Sequence, residues 1–150
     1  MAAVTRLVTV VDIADPAPST FTDDTERSGW AAAPPQATDP RAMSLSALLL
    51  AVLDDGRSLT LLDDRGWTES GPDDVWHQTS AEHVSAQARV VVGPDEPYGS
   101  YSAHDMAVGH WDHLARVLER QGVQVTGREL AQLPHAVELT ERLRRRLAGA

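Results

Sequence analysis

The chain of 150 residues contains no cysteine and no lysine, and all 13 of its basic residues are arginine. Without cysteine there is no disulfide, no thiolate nucleophile and no zinc–thiolate site. Without lysine there is no Schiff base, and no phosphate-binding loop of the Walker type, which ends on a lysine. Aromatic residues make up only 5%, and no window approaches the ~18 apolar residues that read as a membrane span. Leu45–Leu53 is the longest apolar run and has the length of a strand. The first residues, with one arginine and a short apolar stretch, lack the long apolar region and small-residue cleavage site of a secretory signal. These absences predict a soluble, cytoplasmic protein and leave carboxylate, imidazole, hydroxyl and guanidinium groups for function.

Charge is plentiful and one-sided. The formal net charge is −9, and residues 1–113 carry 18 acids against 6 arginines. Such a field repels phosphate backbones and anionic membranes, and it speeds encounter with a basic protein. The expected partner is therefore a basic protein, with no nucleic acid and no membrane. The arginines at 142, 144, 145 and 146 reverse the local sign. They lie at a predicted helix C-terminus, where cations complement the helix dipole and where Glu138–Arg142 and Glu141–Arg145 pair at i, i+4.

The length fits one domain over 1–150. Arg6–Ile13 is β-branched and reads as a first strand. Residues 14–42 hold five of the nine prolines, together with Phe21 and Trp30, and read as a long loop or linker ahead of a main unit at 43–150. Ser44–Leu53 and Ser58–Leu62 flank Asp54-Asp55-Gly56-Arg57, a hairpin turn in which Asp-Gly supplies positive φ. Further turns are predicted at Asp63–Gly66 and Gly71–Asp74, the second leading into a short strand at Val75–His77. Thr79 with Glu82, and Gly93-Pro94, bracket a helix near 80–92. Ser102–Gln121 is a helix with Ala107, Trp111, Leu114 and Leu118 on one face, and with Gly109 expected at a close contact. Val123–Val125 is extended, Thr126 and Glu129 open a short helix, and Pro134 starts a last helix through Leu139, Leu143 and Leu147. The predicted class is α+β: an antiparallel meander of three to five strands packed on one face by three or four helices.

Two constellations invite a functional reading. The paired acids Asp54/Asp55, Asp63/Asp64 and Asp73/Asp74 sit in predicted turns, too far apart for a catalytic dyad but able to rim one acidic face. The loop Gly93–Tyr101 adds Asp95, Glu96, Tyr98 and Tyr101, in which stiff prolines present tyrosines of the kind that anchor interfaces. The six histidines include three between His104 and His113. His110 and His113 share a helix face, with His104 turned toward the apolar side and His77 or His83 needed as further ligands. That arrangement makes a metal-binding protein or small enzyme using His110, His113 and nearby carboxylates the alternative reading, beside a homo-oligomeric accessory subunit. No Gly-x-Ser-x-Gly elbow or His-Glu-x-x-His pattern occurs, and no catalytic residue or cofactor is indicated.

From Leu48 onward, Leu-Leu-Ala-Val-Leu-Asp-Asp-Gly-Arg, Val-Val-Gly-Pro-Asp-Glu-Pro, His-Trp-Asp-His-Leu-Ala and Leu-Pro-His-Ala-Val-Glu-Leu resemble small uncharacterised proteins of high-GC actinobacteria. In size, charge and element mix the chain also resembles the immunity proteins of bacterial polymorphic toxin systems. That resemblance implies a small acidic α+β inhibitor that occludes one basic toxin, for example a nuclease.

Overall fold

The computed structural model describes residues 2–14 and 41–149; the segment predicted as a Pro-rich loop, with Phe21 and Trp30, lies outside the described residues. Strand β2 (Ala42–Leu53) sets the architecture through its period of two. Met43, Leu45, Ala47, Leu49, Ala51 and Leu53 are each at most 2% exposed on one face, whereas Ser44, Ser46, Leu48, Leu50 and Val52 alternate with them, half-buried, on the other. Strands β1 (Val4–Ile13) and β3 (Ser58–Ser70) pair antiparallel on either side of β2. A fourth strand, β4 (His135–Leu139), runs parallel to β1, giving the order β3-β2-β1-β4.

The class is therefore α+β, with a mixed sheet in place of the purely antiparallel meander expected. Five helices occur among the described residues: α1 (Val75–Gln78), α2 (Ala81–Val91), α3 (Ala103–Arg120), α4 (Gly127–Ala131) and α5 (Glu141–Leu147). Their apolar residues pack on the Met43–Leu53 face in two clusters. Leu114, Leu118 and Leu130 meet Leu7, Leu49 and Leu61 at one end. Trp76, Val84, Ala88 and Leu143 meet Val11, Ile13 and Leu45 at the other. Each of these large side chains contributes about 1.5–3 kcal/mol on leaving water.

The hairpin at 54–57 forms as the sequence predicts, with Gly56 at φ 91°. The turn expected at Asp63–Gly66 does not form. Strand β3 continues through it, and its register slips so that Ala47 faces Arg65 while Leu49 faces Leu62. This bulge lets Leu61 and Leu62 both reach the core, and leaves Asp63 and Asp64 exposed on an edge strand. Gly66 is required here by close approach, since a Cβ would lie 2.5 Å from the Leu45 carbonyl oxygen.

Val75–His77 is a helical turn, not a strand, because the Asp74 carboxylate accepts the His77 N–H and caps it. Ser80, one residue after the predicted Thr79, caps α2, and Thr79 bonds back to the Val75 carbonyl. Val123–Val125 is irregular, and Thr126 caps α4 as expected.

The C-terminal region departs most from expectation. Pro134 opens a strand, not a helix. The outer edge of β1 has backbone groups that need partners, and Leu7 N–H accordingly donates to Pro134 O at 2.8 Å while Thr140 N–H donates to Val11 O at 3.0 Å. The helical run of leucines begins only after Thr140, which caps α5. Arg142 consequently does not pair with Glu138. It grips Asp12 of β1, donating from Nε to Oδ1 at 2.7 Å and from NH2 to Oδ2 at 3.0 Å, and Thr140 Oγ1 donates to the same carboxylate at 2.7 Å. Partial burial works to raise the Asp12 pKa, but these bonds and the Ile13 N–H hold it below the usual carboxylate value. Glu141 and Arg145 do pair, at 2.6 Å, and Arg146 stacks 4.6 Å over the buried Trp76 ring.

The close contact expected at Gly109 occurs instead at Gly127. A Cβ at Gly109 would meet nothing within 4 Å, whereas at Gly127 it would strike Asp112 Oδ1 and sit 2.7 Å from Asp112 N. Gly109→Ala should thus raise stability by about 1 kcal/mol through helix propensity. Gly127→Ala should lower it by about 1–3 kcal/mol through overpacking of α3 against α4. Urea titrations of the two variants check both signs. Asp12→Ala, which removes the hydrogen bonds that its carboxylate accepts from Arg142, Thr140 and the Ile13 N–H, should cost about 1–3 kcal/mol in the same measurement.

Candidate functional site

Helix α2 ends at Val91 with Val92 as its C-cap, and the chain crosses to α3 through residues 93–101. Pro94 and Pro97 fix φ along this loop, and Gly99 takes φ 60° in the turn that Tyr101 N–H closes on the Tyr98 carbonyl at 3.1 Å. The turn brings the Tyr98 and Tyr101 rings to 5.7 Å at a tilt of 56°, while leaving them 65% and 55% exposed. Helix α3 then starts on a reciprocal cap: Ser102 Oγ accepts the Asp105 N–H at 3.1 Å, and Asp105 Oδ2 accepts the Ser102 N–H at 3.0 Å. The bonds from Ser102 hold the Asp105 carboxyl below its usual pKa.

From that cap, Asp105, Met106, Gly109, His110 and His113 recur at three- and four-residue spacing on one side of α3. Arg65 of β3 closes the opposite side. Its NH1 donates to the Val91 carbonyl at 2.9 Å and lies 3.8 Å from Asp95, and its Nε is 4.0 Å from Asp64. Loop, helix and arginine line an open, shallow groove of about 320 Å³.

His110 is the unusual member of this wall. Burial pushes its pKa below the ordinary histidine value, the nearby Arg65 and His113 act in the same direction, and a bond to the Val92 backbone and the charge of Asp95 only partly offset them. Its Nε2 is buried without a hydrogen-bond partner among the described residues. The ring stands edge-on to Trp111 at 4.9 Å. The groove is lined by the carboxylates of Asp95 and Asp105, the rings of Tyr98 and Tyr101, two imidazoles and the guanidinium of Arg65.

The predicted site residues are only partly brought together. Asp64, Asp95, Tyr98 and Tyr101 gather around Arg65, with Asp63 and Glu96 exposed beside them in the chain. Asp54 and Asp55 lie in the hairpin turn and Asp73 and Asp74 beyond the far end of β3, roughly 40 Å apart at strand spacing. Three of these four are engaged locally. Asp54 accepts the Ala3 N–H, Asp55 accepts the Arg57 N–H and guanidinium, and Asp74 caps α1. The single acidic face expected from three pairs is thereby split.

His110 and His113 do share the groove, but no group of three or more potential metal ligands occurs among the described residues. His104 is exposed, contrary to the expectation that it faces the core, and His83 pairs with Glu69 at 3.0 Å, away from the groove. Arg65, Asp105, Met106 and Gly109 had no place in the sequence reading of the site. The helical spacing that follows the tyrosine loop was the available signal for the last three. Arg65 had none, because its approach depends on the bulge in β3.

A second histidine, His135 of β4, is also held below its ordinary pKa, by burial first and by Arg89, and its Nε2 lies 2.6 Å from Thr9 Oγ1. In both cases the unfolded chain takes up protons below about pH 6.5 while the folded protein resists until lower pH. Stability is therefore complete above that value and falls as the pH drops beneath it. The thermal midpoint should decline between pH 7.5 and 5.5, with a shallower decline in His110→Gln; a pH-independent midpoint would contradict this account. No family model matches the chain, and no curated protein or solved structure matches it either.

Proposed function

We propose that the protein is a non-enzymatic binding domain that docks onto a basic partner protein and occludes it, as an immunity protein does its toxin, and that it acts in the cytoplasm. The observation that carries this reading is the exposed Tyr98–Tyr101 pair, which lines one groove with the carboxylates of Asp95 and Asp105. Exposed aromatic residues in a rigid setting lose little conformational entropy on binding and dominate interface energetics. The surrounding acids and a net charge of −9 select a cationic surface and raise the encounter rate. Asp54, Asp55, Asp73 and Asp74 contribute to this field at long range and lie outside the contact.

The immobilised protein, exposed at low salt to lysate of its own host, should retain a basic protein. Salt should release that protein chiefly by slowing association, on the order of tenfold or more between low and physiological ionic strength. Retention should disappear in a Tyr98→Ser/Tyr101→Ser double variant. A partner held equally by the double variant and at high salt would overturn the proposed surface.

A further inference from the structure

We infer that the groove is the seat of a single arginine side chain from the basic partner, lying against the exposed side of the Tyr98–Tyr101 pair and ending on the carboxylates of Asp95 and Asp105. This rests on the reading of the protein as a binder of a basic protein, and it names the group recognised.

The chemistry of the walls favours such a guest. Two carboxylates and two tyrosine faces suit a cationic, hydrogen-donating group. Among the described residues Arg65 is the only arginine of the wall, and its charge is already shared with the Val91 carbonyl, Asp95 and Asp64. An anion placed here would face both carboxylates, whereas a cation completes the charge balance.

Shape separates arginine from lysine. The tyrosine rings are tilted 56° to one another, so that a flat guanidinium can lie against one face while its edge meets the other ring. A planar fork also satisfies separate carboxylates better than a hydrated ammonium does. Met106 offers apolar surface to the methylene stem, and Gly109, where a Cβ would have nothing within 4 Å, leaves the floor open.

Titration of the isotopically labelled full chain with Nα-acetyl-arginine methylamide, followed by amide chemical shifts, tests the seat. Saturable shifts are expected at Gly99, Tyr101, Met106 and Gly109, stronger than with the lysine analogue and missing with the norleucine analogue. Tyr98→Leu, a change at an exposed position, should weaken the arginine probe roughly fivefold while the rest of the spectrum stays unchanged. Gly109→Ala, which fills the floor without straining the helix, should weaken it as well. The seat is overturned if the arginine probe produces no saturable shift, if norleucine matches it, or if Tyr98→Leu titrates like the parent. Loss of arginine binding alongside an intact, tyrosine-dependent capture of a basic protein removes only the seat. Arginine binding without any tyrosine-dependent partner removes the broader reading and leaves the seat in place.

Discussion

The structure depends on the one-sided burial of β2. Six inward residues, from Met43 to Leu53, are almost fully shielded from water, and a register slip of one residue would turn all of them to the opposite face. Strands β1 and β3 inherit their facing from that commitment, and every helix that contributes to the core does so on the same side. The two apolar clusters divide the labour along the sheet. Trp76, Val84 and Leu143 bring α1, α2 and α5 to one end, while Leu114, Leu118 and Leu130 bring α3 and α4 to the other. Helix α2 spans both clusters, with Val84 and Ala88 in one and Val91 and Val92 in the other, and the loop that follows it carries the groove-forming tyrosine pair.

Arginine has a consistent structural use in this chain. Arg57 closes the hairpin on Asp55, Arg142 locks α5 to Asp12, Arg145 pairs with Glu141, Arg146 covers Trp76, and Arg65 ties β3 to the end of α2. Exposed pairs of this sort contribute little individually. Their combined effect is to engage positive charge in local contacts while many acids stay unpaired at the surface. The C-terminal arginines, which by themselves resemble a nucleic-acid patch, are for the most part fasteners of the last helix. The proposed interface then owes its sign to the acids left around the 93–101 loop.

What was readable in the sequence follows from how local each signal is. Asp54-Asp55-Gly56-Arg57 between two apolar runs fixes a hairpin, because positive φ at Gly56 is a property of four residues. Ser102 and Asp105 fix the start of α3 in the same way, through two reciprocal hydrogen bonds within one turn. The tyrosine loop was visible through its prolines. At Val75–His77 a local cap on Asp74 makes a helical turn of an expected strand, but the larger differences arise where a residue's local preference is overruled by a distant partner. Asp63–Gly66 has turn composition, yet pairing with β2 keeps it extended. Leu139, Leu143 and Leu147 have helical spacing, yet the unpaired edge of β1 draws Leu139 into a strand.

By itself, the sequence determined the class of fold, the hairpin, the caps of α3 and α4, the acidic field and the exclusion of thiol and lysine chemistry. Each of these is set by composition or by groups within a few residues of one another. Only the tertiary structure decided that β4 is a parallel strand, that Arg142 belongs to Asp12, and that Arg65 meets Asp95 and the tyrosine loop. These contacts join positions separated by 30 to more than 120 residues, and their energy comes from pairing backbone edges and burying apolar faces that no local window contains.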